Sequence, residues 1–264
     1  MHNSHSHRFS SPTQPINFLS FNSNSLFNKF DELLSLLKNF PSRPVFICIF
    51  ETWCRPSEPD SLCNLPQYKL FRRDRRKRSG GGAAVYVHES ITDSCEKLRY
   101  LESSNEDIWL RIRLKNDPRT YALGCIYRPP DSECTSFCSS LEHILRQFQP
   151  FPSNLILTGD FNAHCSEWLE TDKTDSCGEQ LSDLFHTYSL EQVVDFPTNL
   201  HCGQLKACLD LIVTNLQDIT ATSLPPIGKS DHDLLQCYLS TTMMYSGSHL
   251  HHTCMAWCWN RGNF

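Results

Sequence analysis

The stretch Asn154-Leu-Ile-Leu-Thr-Gly-Asp-Phe-Asn-Ala-His164 constrains this chain more than any other, because an apolar strand runs there without a break into a carboxylate, a carboxamide and an imidazole. Leu155, Ile156 and Leu157 form the continuous apolar run of a strand buried on both faces. Gly159 lets the backbone turn tightly or approach another group closely. Asp160 and Asn162, two apart, point the same way if the extended geometry continues. A rigid sheet built like this delivers polar groups to a pocket at its edge. The same residues also suit a strand closed by an Asx turn, since Gly, Asp and Asn are ordinary turn residues.

Other polar residues stand in the same relation to apolar runs. Ile16 to Phe21 is strand-like and ends in Asn22-Ser-Asn24, after which Leu26, Phe27, Phe30, Leu33, Leu34 and Leu37 recur at helical spacing up to Pro41. Val45 to Phe50 is a second buried strand that ends in Glu51, a carboxylate costly to bury unless paired or metal-bound, although a strand emerging into water would account for it equally. Thr52 to Pro66 reads as a loop, and Tyr68 to Phe71 as a short strand. Gly80-Gly-Gly82 opens the strand Ala83 to Val87; these glycines permit a close approach to phosphate, but a flexible hairpin connection is preferred. Ile108 to Leu114 and Tyr121 to Tyr127 are further strands, the latter stopped by Arg128-Pro129-Pro130. Helices are expected from Phe137 to Phe148 and from Gln180 to Tyr188. Asp210 interrupts the apolar strand Leu209 to Val213, and Ser230-Asp231-His232 precedes the last strand, Leu234 to Leu239. Because several strands follow one another directly, the pattern favours a mixed α/β sandwich with helices outside over a regular parallel sheet.

At 264 residues, with 39% hydrophobic and 20% charged residues, the chain has material for one core and no case for global disorder. Its net charge of -5 is odd for a protein that coats nucleic acid, so local distribution decides. Six of the seven residues Arg72 to Arg78 are basic. That run suits contact with a DNA backbone, a nuclear import signal or a solvated loop, and the three stay open. Met1 to Gln14 is polar and lacks the apolar segment of a secretory signal, so the fourteen cysteines are expected to be reduced and the protein intracellular. Cys48, Cys125 and Cys237 sit in apolar stretches as small core residues. No Cys-x-x-Cys pair occurs, and the longest apolar run, Val45 to Phe50, is far short of the roughly 20 residues that span a bilayer.

Several carboxylates with Asn and no thiolate favour a hard cation, Mg²⁺ or Mn²⁺, over zinc. A His beside one Asp, with a second Asp available to fix its tautomer, supplies a base and its orienter. With neither a Gly-x-Ser-x-Gly elbow nor a Walker loop, the expected chemistry is attack of water on a phosphate.

Taken in order, Asn22-x-Asn24, Glu51-Thr-Trp53, Gly-Gly-Gly-x-Ala-Val-Tyr-Val, Tyr127-Arg-Pro-Pro130, Gly159-Asp-Phe-Asn-Ala-His164, Leu209-Asp-Leu-Ile212 and Ser230-Asp-His232 resemble the endonuclease/exonuclease/phosphatase superfamily. Within it the likeness is greatest to the apurinic-type endonuclease domain of non-LTR retrotransposons, over residues 16–240. The resemblance implies a DNase I-like four-layer α/β sandwich, with two mixed, largely antiparallel sheets face to face. It also implies a Mg²⁺-dependent enzyme that nicks double-stranded DNA, leaving a 3′-hydroxyl and a 5′-phosphate that would prime reverse transcription. Glu51 would then hold the metal, with Asn22 and Asn24 beside it; Asn24 replaces the Asp of some apurinic endonucleases. Asp160 would orient or deprotonate the attacking water, Asn162 position the phosphate, and Tyr127 lie against the phosphate or leaving oxygen. Asp210 would orient His232, whose other nitrogen faces the developing charge, and Asp231 would assist metal or water. Arg72, Arg73, Arg75, Arg76, Lys77, Arg78 and Arg128 are the expected DNA contacts, and the nucleus is the favoured compartment.

Residues 1–15 and 241–264 are expected to be tails. The second carries His249, His251, His252, Cys254 and Cys258 at spacings that fit no zinc knuckle well, and a degenerate or non-native tail is preferred. A polymerase domain is expected to be absent from the chain. Two alternatives are a catalytically silent fragment that binds DNA or a protein, and a phosphomonoesterase of the same fold.

Overall fold

The computed structural model describes residues 16–240 except 77, 91, 104, 116, 150–153, 202, 203 and 218, and leaves the side chains of 201–205 undescribed. The two expected tails therefore lie outside the described residues. The elements in chain order are β1 (Ile16–Asn22), α1 (Phe30–Asn39), β2 (Phe46–Phe50), β3 (Tyr68–Arg73), β4 (Ala83–His88), β5 (Thr92–Lys97), β6 (Glu106–Leu114) and β7 (Thr120–Tyr127). They continue with α2 (Cys134–Phe148), β8 (Asn154–Asp160), α3 (Ser176–Thr187), β9 (Glu191–Gln192), β10 (Asn199–His201), β11 (Gln204–Ala207), β12 (Asp210–Thr214), β13 (Ile219–Leu224) and β14 (Leu234–Leu239).

One six-stranded sheet runs β13-β14-β1-β2-β4-β3 and the other β5-β6-β7-β8-β12-β9, with β10-β11 a separate ribbon. Each large sheet is antiparallel but for one central parallel pair, β1 with β2 and β7 with β8. Strand alternation explains why the first sheet is apolar on both faces. Phe18, Phe46, Cys48, Phe50 and Val85 point to the other sheet, whereas Leu19, Phe21, Ile47, Ile49 and Tyr86 pack under Leu33 and Leu37 of α1. On the far side, Phe137, Leu141, Leu181 and Phe185 of α2 and α3 cover the second sheet. Helix, sheet, sheet and helices make the four-layer α/β sandwich expected. No described helix is long and apolar enough to cross a membrane.

Period-two geometry also places polar groups between the sheets. Ser20 and Thr158 share a hydrogen bond of 2.6 Å across the buried gap, and the next same-face residues outward, Asn22 and Asp160, meet at 2.9 Å. The carboxylate that ends β8 is thereby aimed inward. Gly159 is required because a Cβ there would lie 2.2 Å from the carbonyl oxygen of Ile126 on the parallel neighbour.

Three expectations change. The strand before the basic run extends through Arg73, so Arg72 and Arg73 belong to a sheet and not to a loop. Gly80 to Gly82 do lie in the connection of the antiparallel β3–β4 hairpin, but that connection is held in place: all three take positive φ, and the carbonyls of Gly81 and Gly82 accept the backbone N–H groups of Trp53 and Thr52. The expectation of reduced thiols fails at one pair, since Cys134 and Cys177, with Cα atoms 5.5 Å apart, form a disulfide that joins the first turns of α2 and α3. Their 43-residue separation gave no sign that two helix starts would meet. Cys48, Cys125 and Cys237 are buried free cysteines, as expected.

Candidate active site

Strand register brings the central residues side by side. Tyr127 at the end of β7 pairs with Asp160 at the end of β8, and Asp160 pairs with Asp210 at the start of β12. From the opposite sheet come Asn22, which ends β1, and Glu51, which follows β2 with a positive φ of 50°. The Asn22 carboxamide joins the two halves, donating to Glu51 Oε1 at 3.0 Å and to Asp160 Oδ2 at 2.9 Å. Glu51 Oε1 also accepts the Tyr127 hydroxyl at 2.9 Å, and its Oε2 accepts the indole N–H of Trp53 at 3.1 Å. Three side chains, Asn22, Tyr127 and Trp53, thus hold two carboxylates at one sheet edge, the buried Asp160 and the half-buried Glu51.

The imidazole stands next to them. His232 Nδ1 lies 2.6 Å from Asp210 Oδ2, and Nε2 lies 3.0 Å from the side-chain amide of Asn199, which holds a protonated Nε2 when it presents its oxygen and a neutral one when it presents its N–H. Thr198 supports the partner, because its hydroxyl accepts the backbone N–H groups of Leu209 and Asp210. Burial opposes protonation of His232, but the Asp210 carboxylate outweighs it and pushes the pKa up to about 10. Burial, reinforced by the Asp210 charge, pushes Asp160 up to about 7. Tyr127 is raised by burial and by the Glu51 and Asp160 charges, which keeps its hydroxyl a donor.

The remaining expected residues occupy three kinds of position. Asn162, with a φ of 44°, donates from its backbone to Asp160 Oδ1 and from its side chain to the Arg128 carbonyl. Asn24 meets the ring through its backbone, donating to Asn22 Oδ1 while its carbonyl accepts from Lys29. Asp231 is exposed, with no side-chain hydrogen bond among the described residues, and its charge acts on both Lys29 and His232. Lys29, Asn199 and Thr198 were not singled out in the sequence, and Ser230 entered only as part of the Ser230-Asp-His232 motif. Only the polar character of Ser230, next to Asp231-His232, hinted at its bond to the Asn22 carbonyl.

The donor set fits a hard divalent cation. Asp160, Asp210 and His232 bring ligating atoms within 4.8 Å of one another, and Asp210 Oδ1 is buried with no hydrogen-bond partner. A buried carboxylate oxygen left bare is costly unless something positive completes it. The surrounding oxygen donors, Glu51 and Asn22, are of the same hard class.

The basic segment divides sharply. Arg72 is committed internally, to Asp60, Asp74 and the carbonyls of Arg55 and Glu58, with its side chain only 9% exposed. Arg128 is buried and donates to the carbonyls of Phe161, Asn162 and Ser132, so it braces the Asp160 loop and is not free to contact DNA. Arg73 pairs with Glu102 and Arg75 with Glu106, and the Arg75 guanidinium lies 5.8 Å from the Tyr127 ring centre. Arg78 pairs with Asp131 but is half exposed. Arg76 is exposed with no ion pair among the described residues, and Lys77 lies outside them. A cavity of about 790 Å³ follows the run, lined by Arg72, Arg73, Arg75, Arg76, Arg78, Lys97 and Arg99 and by the carboxylates of Asp74, Glu102 and Glu106.

Two facing sheets, with Asn, Glu, Tyr, two Asp and His gathered at one edge, make a DNase I-like fold that this chain shares with solved nuclease and phosphatase structures. Residues 121–235 match the family model described as endonuclease-reverse transcriptase. Among solved structures, the endonuclease domain of TRAS1, a telomere-specific non-LTR retrotransposon, aligns at 19% identity over 86% of this chain and 99% of its own, with a TM-score of 0.69. The apurinic endonuclease LMAP of Leishmania major aligns at 15% identity over 86% and 88%, also with a TM-score of 0.69. A Neisseria 3′ phosphatase bound to product DNA hairpin aligns at 15% over 85% and 99%, with a TM-score of 0.61. No protein of curated function matches the sequence significantly.

Proposed function

We propose that this chain is a divalent-metal-dependent phosphodiester hydrolase that nicks double-stranded DNA, of the non-LTR retrotransposon endonuclease kind, with Mg²⁺ as its ion. The observation that carries this reading is the hydrogen-bonded line Tyr127–Glu51–Asn22–Asp160, closed into a ring by the strand pairing of Tyr127 with Asp160 and set against the Asp210–His232–Asn199 line. Glu51 and Asn22 would hold the cation, with Asp160, Asp210 and Asp231 as further candidates, and its charge would neutralise negative charge on the phosphate and leaving oxygen. Asp160, with its pKa near neutrality, is matched to accepting a proton from water. His232, held protonated by Asp210, places positive charge where negative charge grows on the phosphorus centre. Tyr127 remains a hydrogen-bond donor toward the phosphate, and Asn162 presents its amide group at the same edge. Nuclear residence accompanies this reading.

The test is nicking of supercoiled plasmid by the purified full chain with Mg²⁺, with EDTA, and with Asp160→Ala and His232→Ala. Metal-dependent nicking lost in both variants is the expected result. A folded protein that leaves the plasmid intact at every metal concentration defeats the proposal. Phosphate release from small monoesters would then move the assignment to a phosphomonoesterase.

A further inference from the structure

Among the described residues, Trp53 is the large aromatic side chain left open beside the candidate site. Its indole is 43% exposed, whereas Trp109 and Trp168 are buried. The ring is also held in place. Its N–H is spent on Glu51 Oε2, its backbone sits at a φ of 55°, and its amide donates to the Gly81 carbonyl at 2.9 Å. Gly80 lies along the indole edge, where a Cβ would meet Nε1 at an ordinary contact distance of 3.6 Å. Left-handed backbone at a bulky residue is strained, and such strain persists where the surroundings over-determine it. An aromatic plane fixed at one edge and open on its face loses little freedom on binding.

The space over it has matching chemistry. A cavity of about 480 Å³ is lined by Trp53, Arg55, Pro56, Arg75, Arg76 and Arg78, with no carboxylate in its wall. Arg55 and Arg76 are exposed, and neither has an ion-pair partner among the described residues. An indole face ringed by guanidiniums suits a ligand with a flat π-surface and attached phosphates. Within a duplex, each base already has its faces covered by its neighbours. A base can therefore lie on Trp53 only if it has left the stack.

We propose that Trp53 and the arginine-lined cavity form a subsite for an unpaired nucleobase next to the scissile phosphate, so that the enzyme selects DNA in which a nucleotide is already extruded or unpaired. This rests on the nuclease reading and adds a substrate class to it. Through Glu51, the same indole ties occupation of the subsite to the metal-binding carboxylate.

Binding is measured with the full chain in EDTA, where no turnover occurs, on two short duplexes identical except for one unpaired 2-aminopurine. The native protein should bind the bulged duplex about 5- to 150-fold more tightly, the worth of one base stacked on an aromatic ring, and should quench the 2-aminopurine emission. Trp53→Ala should erase both effects. Trp53→Phe, which keeps a ring and loses the bond to Glu51, should keep both. Equal affinity of the native protein for the two duplexes, or an unchanged preference in Trp53→Ala, overturns the proposal. Loss of preference in Trp53→Phe as complete as in Trp53→Ala assigns the effect to the Glu51 bond and overturns it as well. If plasmid is nicked but the two duplexes bind alike, only this inference fails. If no DNA is bound or nicked, the nuclease reading fails with it.

Discussion

The ring at the sheet edge and the basic segment from Arg72 to Gly82 lie against each other, yet they respond differently to being read as sequence. In the ring, residue type and placement agree: Asn22, Glu51, Tyr127, Asp160 and Asp210 each sit at a strand terminus, where register leaves one available orientation. In the basic segment, residue type says little about placement. Arg72 and Arg75 have the same side chain as Arg76, but the first two are buried in ion pairs and the last is free in solvent. A charged run identifies potential ligands for phosphate; only the positions of nearby carboxylates decide which remain available.

Breaking the ring should give the largest effects. His232→Asn removes the charge that Asp210 sustains and should lower nicking about 10²- to 10⁴-fold with little change in DNA affinity, read as kcat against KM. Arg72→Met tests the other side of the comparison. It strips the partner from Asp74, a largely buried carboxylate, so a loss of about 3 kcal/mol in unfolding free energy is expected, with weaker DNA binding only as a consequence of unfolding. Normal stability with a lowered salt dependence of binding would instead make Arg72 a phosphate contact.

Asp160→Asn should separate stability from activity. The folded-state pKa of Asp160 is raised to about 7 from an ordinary 3.8, so the native state holds a proton that the unfolded chain releases. This costs nothing below the unfolded value; the cost grows between the two values and is constant above about pH 7. The inactive variant should therefore exceed the native protein in stability by on the order of 4 kcal/mol at pH 8 without metal, and the gain should vanish by about pH 3. Thermal melts across that range decide it; a constant offset would refute the linkage. Added Mg²⁺ should stabilise the native protein more than the variant, because the carboxylate repulsion it relieves is absent from the variant.

The central strands and the ring were legible because burial on both faces leaves a continuous apolar signature, and a carboxylate at its end stands out. β5, with the sequence Thr-Asp-Ser-Cys-Glu-Lys, carries no such signature because it is an exposed edge strand stabilised by pairing with β6. α3 begins at Ser176, earlier than its apolar residues suggest, since Asp175 accepts the N–H groups of Cys177 and Gly178 as a cap. Asn199 and Thr198 escaped notice for a different reason. Neither adjoins a long apolar run, and each acquires its role from a contact more than ten residues away, with His232 and with Asp210. Trp53 was noticed as part of a motif, but its exposure and its bond to Glu51 are matters of three-dimensional placement.

The smallest expected effect sharpens the comparison most. Arg76→Met removes an exposed guanidinium with no ion pair, so its unfolding free energy should stay within about 0.5 kcal/mol of the native value. If that guanidinium neutralises one phosphate, the slope of log affinity against log salt concentration should become shallower by about 1, uniformly across DNA sequences. Arg72→Met should show the reverse pattern, with stability lost and the slope kept. The pair of variants compares two arginines in one short segment whose sequence context is nearly the same and whose nearest carboxylates differ. An unchanged slope in Arg76→Met would mean that the DNA backbone passes elsewhere, and Arg99 on the far wall of the larger cavity would be the next cation to remove.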